Sequence, residues 1–269
     1  MSDFLQQMAA SSRERAAQAR RRYGDDELDA PLIKLQLTQF DVIAEIKEHS
    51  PSEGALAAIN NDRLDLAERY AKGGAAAVSV LTEPSRFAGD LTHLSEVAAL
   101  LAGRGVPAMR KDFLVDPVQL LEARAHGASG ALLITAMLDD ATLQKMLDYA
   151  SELSLFVLLE AFDEEDLRRT QKLLERSRYA EQAANHQLLI GVNTRNLRTL
   201  AVDTGRLARL ASLLPAGAVC VAESGIKTAA DAAQAAGHGY QAALIGTALM
   251  RSGDPAALIR DILAAGRAA

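Results

Sequence analysis

The chain of 269 residues has a single cysteine, Cys220, and therefore cannot form an internal disulfide bond. Cys220 lies in the apolar run AVCVA, where a buried core thiol is expected, and a reducing compartment is the natural setting for it. No apolar stretch approaches the length of a membrane span, and the N-terminal segment has no apolar core of signal-peptide length. These absences predict a cytoplasmic protein without a membrane partner.

The chain also lacks an excess of positive charge, because 29 Lys and Arg residues stand against 35 Asp and Glu residues. A nucleic-acid-binding protein would need a basic surface, so no nucleic-acid partner is expected. The five histidines are scattered without metal-ligand spacing, and no metal site is expected from them. Hydrophobic residues make up 49% of the chain, which is ordinary for a globular protein with a sizeable core.

Short apolar runs alternate with longer amphipathic segments along the chain, and the runs predict strands buried on both faces. The predicted strands are Asp41–Ile46, Ala76–Thr82, Pro107–Lys111, Gly130–Thr135, Leu155–Ala161, Leu188–Val192, Ala218–Ala222 and Ala242–Ile245. Helical patterns lie between them, as at Pro117–His126, Asp139–Leu153 and Thr228–Ala236. Eight β-then-α units favour an α/β fold with one closed parallel (β/α)8 TIM barrel over an open doubly wound sheet.

Two segments lie outside this repeat. Residues 1–40 form an N-terminal helical extension, which we expect to cover part of the barrel mouth or bottom, and residues 41–269 form the barrel. The crossover from Leu167 to Gln187 is unusually long. It predicts a lengthened fifth helix and loop on the outside of the barrel, because helices and their returning loops face away from the active end.

The predicted strands end in a set of charged and amide side chains. In a parallel barrel the active site is built from the carboxyl ends of the strands. A single such residue is most often solvated or in a structural ion pair, but a convergent set indicates acid–base chemistry. The candidates are Glu45, Lys47, Lys111, Glu160, Asn193, Arg195 and Glu223.

Small residues follow the seventh and eighth predicted strands, as Ser224-Gly225 and Gly246-Thr247. Small residues let backbone N–H groups approach an anion, and many barrels bind a phosphate at this place. Either loop alone would also fit a tight turn, but the consecutive pair predicts a phosphate site. Ser50 could contribute a hydroxyl from across the mouth.

The strand ends and loops together resemble one known family. The run IAEIKEHSPSEG, residues 43–54, is followed in order by SVLTEPSRFAGDL, RKDFLVDPVQLLEARAHGA, LLEAFDEEDL, IGVNTRNLRTLAVD, VAESGI and LIGTALM. This order resembles the indole-3-glycerol-phosphate synthase family of tryptophan biosynthesis from about Asp41 to Met250. The resemblance implies a carboxy-lyase that uses no metal or organic cofactor and acts on a phosphorylated small molecule. The resemblance is also compatible with other enzymes of the tryptophan pathway as partners.

The resemblance also implies roles for single residues. Lys111 matches the acid of ring closure, Glu160 matches the base, and Lys47 matches a second lysine that binds substrate, with the division between the two lysines open. Glu45 would tune and orient the two lysines through its opposite charge, and Asn193 would hydrogen-bond the reacting groups. The remaining matches are Glu223 and Ser224 on the rim, Arg195 for the substrate carboxylate, Ser50, Gly225, Gly246 and Thr247 for the phosphate, and Phe87, Phe113 and Leu133 for the aromatic ring.

Several positions depart from the family pattern, among them Phe162 after Glu160 and Thr194 beside Asn193. Glu48 and Glu53 are acidic where basic residues are common, and Arg86 stands at an aromatic position. Acidic groups that face a phosphate would weaken its binding, whereas in the simpler interpretation they point to solvent. The departures motivate one alternative, a paralogue that acts on a substituted aminoaryl sugar phosphate. A non-catalytic barrel that binds phosphate ligands is a separate alternative of another class. The apolar candidates for contact with the aromatic ring would fit plain barrel packing nearly as well.

Overall fold

A computed structural model describes residues 3–23, 28, 30–50, 54–55, 62–195, 203 and 205–269, with the backbone alone at residues 3, 50, 54 and 55. Eight strands form a closed barrel in which each strand pairs with its neighbours in the chain and the first pairs with the last. All these pairings are parallel. The strands are β1 (Asp41–Ile46), β2 (Ala77–Leu81), β3 (Ala108–Lys111), β4 (Gly130–Ile134), β5 (Phe156–Ala161), β6 (Leu188–Asn193), β7 (Cys220–Glu223) and β8 (Ala242–Ile245).

This architecture confirms the predicted (β/α)8 barrel. Every strand is buried along nearly its whole length, which is why the strands read as continuous apolar runs. The largest boundary difference is at β7, which begins at Cys220 instead of Ala218. A turn with Gly217 at φ 82° precedes β7 and delays the start of its pairing.

One helix, α1 (Asp3–Ala19), precedes the barrel, and the others follow the strands. These are α2 (Arg63–Gly73), α3 (Pro84–Phe87), α4 (Leu91–Ala102), α5 (Val118–Ala125), α6 (Asp140–Glu152), α7 (Glu164–Leu174), α8 (Ser177–Ala184), α9 (Gly205–Leu210), α10 (Ala229–Gly237), α11 (Thr247–Met250) and α12 (Pro255–Ala268). No helix in the described ranges is both long and apolar enough to cross a membrane.

The helix boundaries follow side-chain caps. Asp139 accepts the N–H of Thr142 at 2.7 Å and starts α6. Thr228 and Asp231 form a capping box that starts α10. Such caps satisfy N–H groups that have no partner inside the helix. The predicted helix from Pro117 begins one residue later, because Pro117 occupies the cap position.

The long crossover holds two helices, where the sequence predicts one lengthened helix. The chain leaves the helical conformation at Arg176, between α7 and α8. Helix α8 is amphipathic and buries Tyr179, whose hydroxyl donates to Asp148 Oδ1 at 3.0 Å. The extra length of the chain therefore forms a second packed helix on the outside of the barrel.

Helix α1 lies against the carboxyl end of β3. Arg15 donates to both carboxylate oxygens of Asp112, at 2.7 and 2.9 Å. The Gln119 amide donates to the hydroxyl of Ser12 at 2.9 Å. Because Asp112 directly follows Lys111, the extension covers the mouth of the barrel at a strand end that the sequence marks as functional.

Candidate active site

The carboxyl ends of all eight strands open into a cavity of about 730 Å³. This volume lies within the range of small-molecule sites. The described residues that line it include the candidates Glu45, Lys47, Phe87, Lys111, Phe113, Glu160, Asn193, Arg195, Glu223, Ser224, Gly225, Gly246 and Thr247. The structure therefore brings together thirteen of the fifteen predicted site residues. Of the other two, Ser50 has its side chain outside the described residues.

The floor of the cavity holds a cluster of charged side chains from alternate strands. Lys111 Nζ lies 3.2 Å from Glu160 Oε2 and 3.4 Å from Glu223 Oε2. Glu45 belongs to the same cluster, because its charge acts on Lys111. These four residues come from β1, β3, β5 and β7, and side chains of alternate strands fill a common layer inside such a barrel. The closure of the barrel thus places one ammonium group among three carboxyl groups.

The cluster changes the proton affinity of its members. Burial opposes the charge of Lys111, but the carboxylates of Glu160, Glu223 and Glu45 outweigh it and raise the Lys111 pKa. Burial and the charge of Glu160 raise the pKa of Glu223 well above its usual value. Lys111 is therefore a protonated group at neutral pH and can serve as an acid. Glu223 Oε1 is buried without a hydrogen-bond partner in the described part of the chain.

Lys47 and Glu45 form a second pair, with 2.5 Å between Lys47 Nζ and Glu45 Oε1. Burial works against ionisation of Glu45, but the charges of Lys47 and Lys111 prevail and lower its pKa. A Cβ atom added at Gly246 would lie 3.0 Å from Lys47 Nζ and would collide with Glu45 Oε1. Gly246, predicted from its loop as a phosphate contact, therefore also makes room for this pair.

Gly246→Ala is expected to lower kcat by about tenfold or more, because the methyl group displaces Glu45 and Lys47, and displacements of about 1 Å can cost 10²-fold in rate. The matched control is Gly237→Ala, where an added Cβ meets no atom within 4 Å. Steady-state kinetics of both variants check this expectation. Equal activity of the two variants would contradict the role given to Gly246.

Asn193 is held in one orientation by its neighbours. Its Oδ1 accepts the hydroxyl of Ser224 and the backbone N–H of Arg195, both at 2.9 Å. These two donors identify Oδ1 as the oxygen, so that Nδ2 donates to Glu160 Oε1 at 3.1 Å. The amide therefore fixes the carboxylate of Glu160 from the side opposite Lys111.

The loop after β7 has an unusual backbone. Ser224 has φ 64° and Gly225 has φ 87°, and a positive φ is uncommon for a residue other than glycine. The Thr194 hydroxyl donates to the Ser224 carbonyl at 3.0 Å and holds this loop. Strained backbone that its surroundings hold in place is frequent at functional sites. Sequence reasoning missed the role of Thr194, because a buried threonine beside a strand end carries no distinct signal.

Aromatic rings line the opposite side of the cavity. The Phe113 ring lies 5.8 Å from the Phe4 ring and 6.1 Å from the Phe87 ring, measured between centroids. Phe4 belongs to α1 and was not predicted, because its place in the site depends on how the extension packs. Leu133 does not line the cavity, and this prediction is corrected. Its neighbours Leu132 and Ile134 do, since successive side chains of a strand point to opposite faces.

Two further cations, Lys227 and Arg251, line the cavity near the predicted phosphate loops. They follow those loops by two to four residues, and an exposed basic residue at such a distance gives no specific sequence signal. Within the described ranges, no group of three or more His, Cys, Asp or Glu side chains has the arrangement of a metal site.

The fold and the cavity define an enzyme of the (β/α)8-barrel class, with an acid–base cluster at the carboxyl ends of its strands. The family model for indole-3-glycerol phosphate synthase matches residues 5–262. The chain belongs to this family. The match begins inside α1, so the family includes the extension as well as the barrel.

Individual relatives agree with this assignment. The chain is 44% identical over 235 residues to the indole-3-glycerol phosphate synthase of Parafrankia sp. (strain EAN1pec), covering 87% of this chain and 82% of the relative. It is 44% identical over 239 residues to the enzyme of that name from Mycobacterium leprae (strain TN), covering 89% and 82%. It is 45% identical over 230 residues to the one from Nocardioides sp. (strain ATCC BAA-499 / JS614), covering 86% and 82%.

Solved structures show the same fold at low sequence identity. The 3-hexulose-6-phosphate synthase of Salmonella typhimurium aligns with a TM-score of 0.61 at 15% identity, covering 85% of this chain and 98% of that chain. Phosphoribosyl anthranilate isomerase of Thermotoga maritima aligns with a TM-score of 0.55 at 12% identity, covering 85% and 100%. At these identities the likeness concerns the fold alone.

Proposed function

We propose that this chain converts 1-(2-carboxyphenylamino)-1-deoxyribulose 5-phosphate into indole-3-glycerol phosphate, with loss of CO₂ and water. The observation that carries the proposal is the ammonium group of Lys111, held between Glu160 and Glu223 on the floor of the cavity. Membership of the family and the names of its relatives support it. A non-catalytic binding barrel has no need for this buried acid–base cluster.

The first step needs an acid beside the substrate carbonyl. The ring carbon that bears the carboxylate attacks the carbonyl carbon, a C–C bond forms, and Lys111 gives its proton to the carbonyl oxygen. The C–C bond to the carboxylate then breaks, CO₂ leaves, and its electron pair restores the aromatic ring. Glu45, Glu160 and Glu223 hold Lys111 protonated for this step.

The second step removes water. The new hydroxyl group leaves after protonation, and loss of a proton from the adjacent carbon completes the indole double bond. Glu160 is the proposed base, held by the Asn193 amide, and Lys47 is the second lysine, which contacts the substrate beside Glu45. General acid–base groups of this kind typically contribute roughly 10²–10⁴-fold to a rate.

Residues that line the cavity would bind the charged groups and the aromatic ring of the substrate. Arg195 lines the cavity and would bind the substrate carboxylate through its planar guanidinium. The small residues Gly225, Gly246 and Thr247 would let backbone N–H groups reach the phosphate. Phe87 and Phe113 would contact the aromatic ring. The predicted phosphate contact of Ser50 remains part of the proposal.

Glu160→Gln is expected to lower kcat by roughly 10²-fold or more, because the amide cannot accept the proton. KM is expected to change little, since a glutamine can still accept the hydrogen bond from Asn193. Steady-state kinetics separate the two parameters. A rise in KM at unchanged kcat would make Glu160 a binding residue instead of a base.

The proposed reaction is tested by following the fluorescence of indole-3-glycerol phosphate as it forms from the unsubstituted substrate. Turnover with KM in the micromolar-to-millimolar range supports the proposal. No turnover by a folded protein overturns it. A panel of ring-substituted substrates examines the paralogue alternative, which fails if the unsubstituted compound is turned over as well as every analogue.

The departures from the family pattern give the paralogue alternative little support. The guanidinium of Arg63 donates to Glu48, and the Arg86 guanidinium donates to Gln7 of α1 at 3.2 Å. Neither side chain lines the cavity. Glu53 lies outside the described residues. These contacts favour the unsubstituted substrate.

We propose further that the protein works in the cytoplasm, with other enzymes of tryptophan biosynthesis as its partners. The single cysteine supports a reducing compartment, because the chain cannot form an internal disulfide. Cys220 is buried in β7, and burial raises the pKa of its thiol to about 12. A thiol in this state is unreactive. A pull-down with the tagged full chain, followed by identification of the bound enzymes, tests the partnership.

A further inference from the structure

We propose that Glu48 acts as a positioning residue for Lys47 through its ion pair with Arg63. Glu48 Oε1 accepts hydrogen bonds from Arg63 Nε at 3.1 Å and from Arg63 Nη2 at 2.9 Å. The remaining edge of the guanidinium donates from Nη1 to Glu96 Oε2 at 2.6 Å. Glu48 follows β1, Arg63 is the first residue of α2, and Glu96 lies on α4. The ion pairs therefore join the exit of β1 to two helices on the outside of the barrel.

Lys47 is the single residue between the end of β1 and Glu48. The parallel pairing of β1 with β2 ends at Ile46, which lies opposite Val80. Lys47 is the first residue beyond that pairing, and Glu48 is the second. The backbone of Lys47 is consequently held on one side by the sheet and on the other by the ion pair. A further contact follows at His49, whose Nδ1 lies 3.1 Å from the Arg86 carbonyl oxygen.

This placement matters because the Lys47 ammonium has a close partner. Lys47 Nζ lies 2.5 Å from Glu45 Oε1 on the cavity side. The side chains of Glu45 and Lys47 both line the cavity, whereas Glu48 contacts Arg63 at the start of α2. The carboxylate of Glu48 can therefore fix the backbone from outside without entering the cavity.

The pair also accounts for an acidic residue at this position. A free carboxylate near the cavity would repel the phosphate and the carboxylate of the proposed substrate. The Arg63 guanidinium neutralises Glu48 by direct contact. The side chains are 20% and 27% exposed, and partly exposed pairs contribute little to overall stability. Loss of the Glu48–Arg63 ion pair is accordingly expected to change the placement of Lys47 and not the melting temperature.

A double-mutant cycle tests the proposal with Glu48→Gln, Arg63→Gln and the double variant. Each single substitution is expected to lower kcat/KM by about tenfold, because Lys47 contacts the proposed substrate, while Tm stays nearly unchanged. The double variant is expected to be no slower than the slower single variant, because residues that act through one contact give non-additive effects. Glu48→Asp, which keeps the charge, is expected to recover part of the loss. Multiplied losses in the double variant would overturn the proposal.

The second measurement needs no substrate. Hydrogen exchange of the ligand-free protein, followed in peptides that cover residues 41–50, is expected to quicken in both single variants. The matched control is Arg104→Gln, which breaks an exposed ion pair with Glu68 and is expected to change neither exchange there nor kcat/KM. Unchanged exchange in Glu48→Gln and Arg63→Gln would overturn the proposal. The role of Lys47 rests on the proposed function, which fails separately if the unaltered protein shows no turnover.

Discussion

Lys111→Ala is expected to lower kcat by roughly 10²–10⁴-fold, the range for loss of a general acid. Lys111 is the one cation that contacts both Glu160 and Glu223 among the described residues. Without it the substrate carbonyl loses the proton donor that the proposed mechanism assigns to ring closure. The decrease is expected in kcat more than in KM, because the proton moves in the transition state and not during binding. Steady-state kinetics with the unsubstituted substrate measure it.

The fold is expected to survive this substitution. Removal of the ammonium leaves two buried carboxyl groups, and the pKa of Glu223 is already raised by burial and by the charge of Glu160. One proton shared by the two groups relieves their repulsion. Lys145→Ala, at an exposed position on α6, is the matched control, and circular dichroism verifies folding. Near-normal kcat in folded Lys111→Ala would remove Lys111 from the mechanism.

Arg110→Met is expected to lower the free energy of unfolding by about 3–5 kcal/mol, the usual cost of breaking a buried ion pair. Arg110 is 1% exposed. Its guanidinium donates to Glu122 Oε2 at 2.7 Å, to the Gln119 carbonyl at 3.0 Å and to Asp112 Oδ2 at 3.2 Å. Methionine fills a similar volume but leaves the two carboxylates without this partner. Chemical denaturation followed by circular dichroism measures the change.

The matched control is Arg168→Met, which breaks an ion pair with Glu164 on the surface of α7. Both side chains of that pair are more than half exposed, so a loss of about 1 kcal/mol or less is expected. A similar loss in both variants would mean that the buried network around Arg110 contributes no more than a surface pair. Such a result would contradict the importance given to its burial.

The barrel could be predicted because its strands are buried on both faces. Each strand must then be a nearly unbroken apolar run, and eight such runs are visible in the sequence. The charged residues of the candidate site could also be predicted from the sequence, because in this fold the active site is built at the carboxyl ends of the strands. Glu160 illustrates the argument: it is the acidic residue at the end of the apolar run that begins at Leu155.

What the sequence could not predict depends on the relative placement of elements. Leu133 and Leu132 are the same residue type in adjacent positions, and only the phase of the strand decides which one lines the cavity. Gly191 is another example, because an added Cβ would collide with Glu223 Oε1 from the neighbouring strand. A glycine in a strand indicates such a close approach, but nothing in the sequence names its partner.

The arrangement of the acid–base cluster has a consequence for the assembly of the protein. Glu45 and Lys111 come from the first four strands, and Glu160 and Glu223 come from the last four. The cluster thus combines residues from both halves of the chain. Neither half contains both the proton-donating lysine and the proposed base. The two halves meet at two strand pairings, β4–β5 and β8–β1. In the first of these Ile134 lies opposite Glu160. Turnover therefore reports that the barrel has closed. A refolding chain gains activity only when the pairings β4–β5 and β8–β1 have both formed.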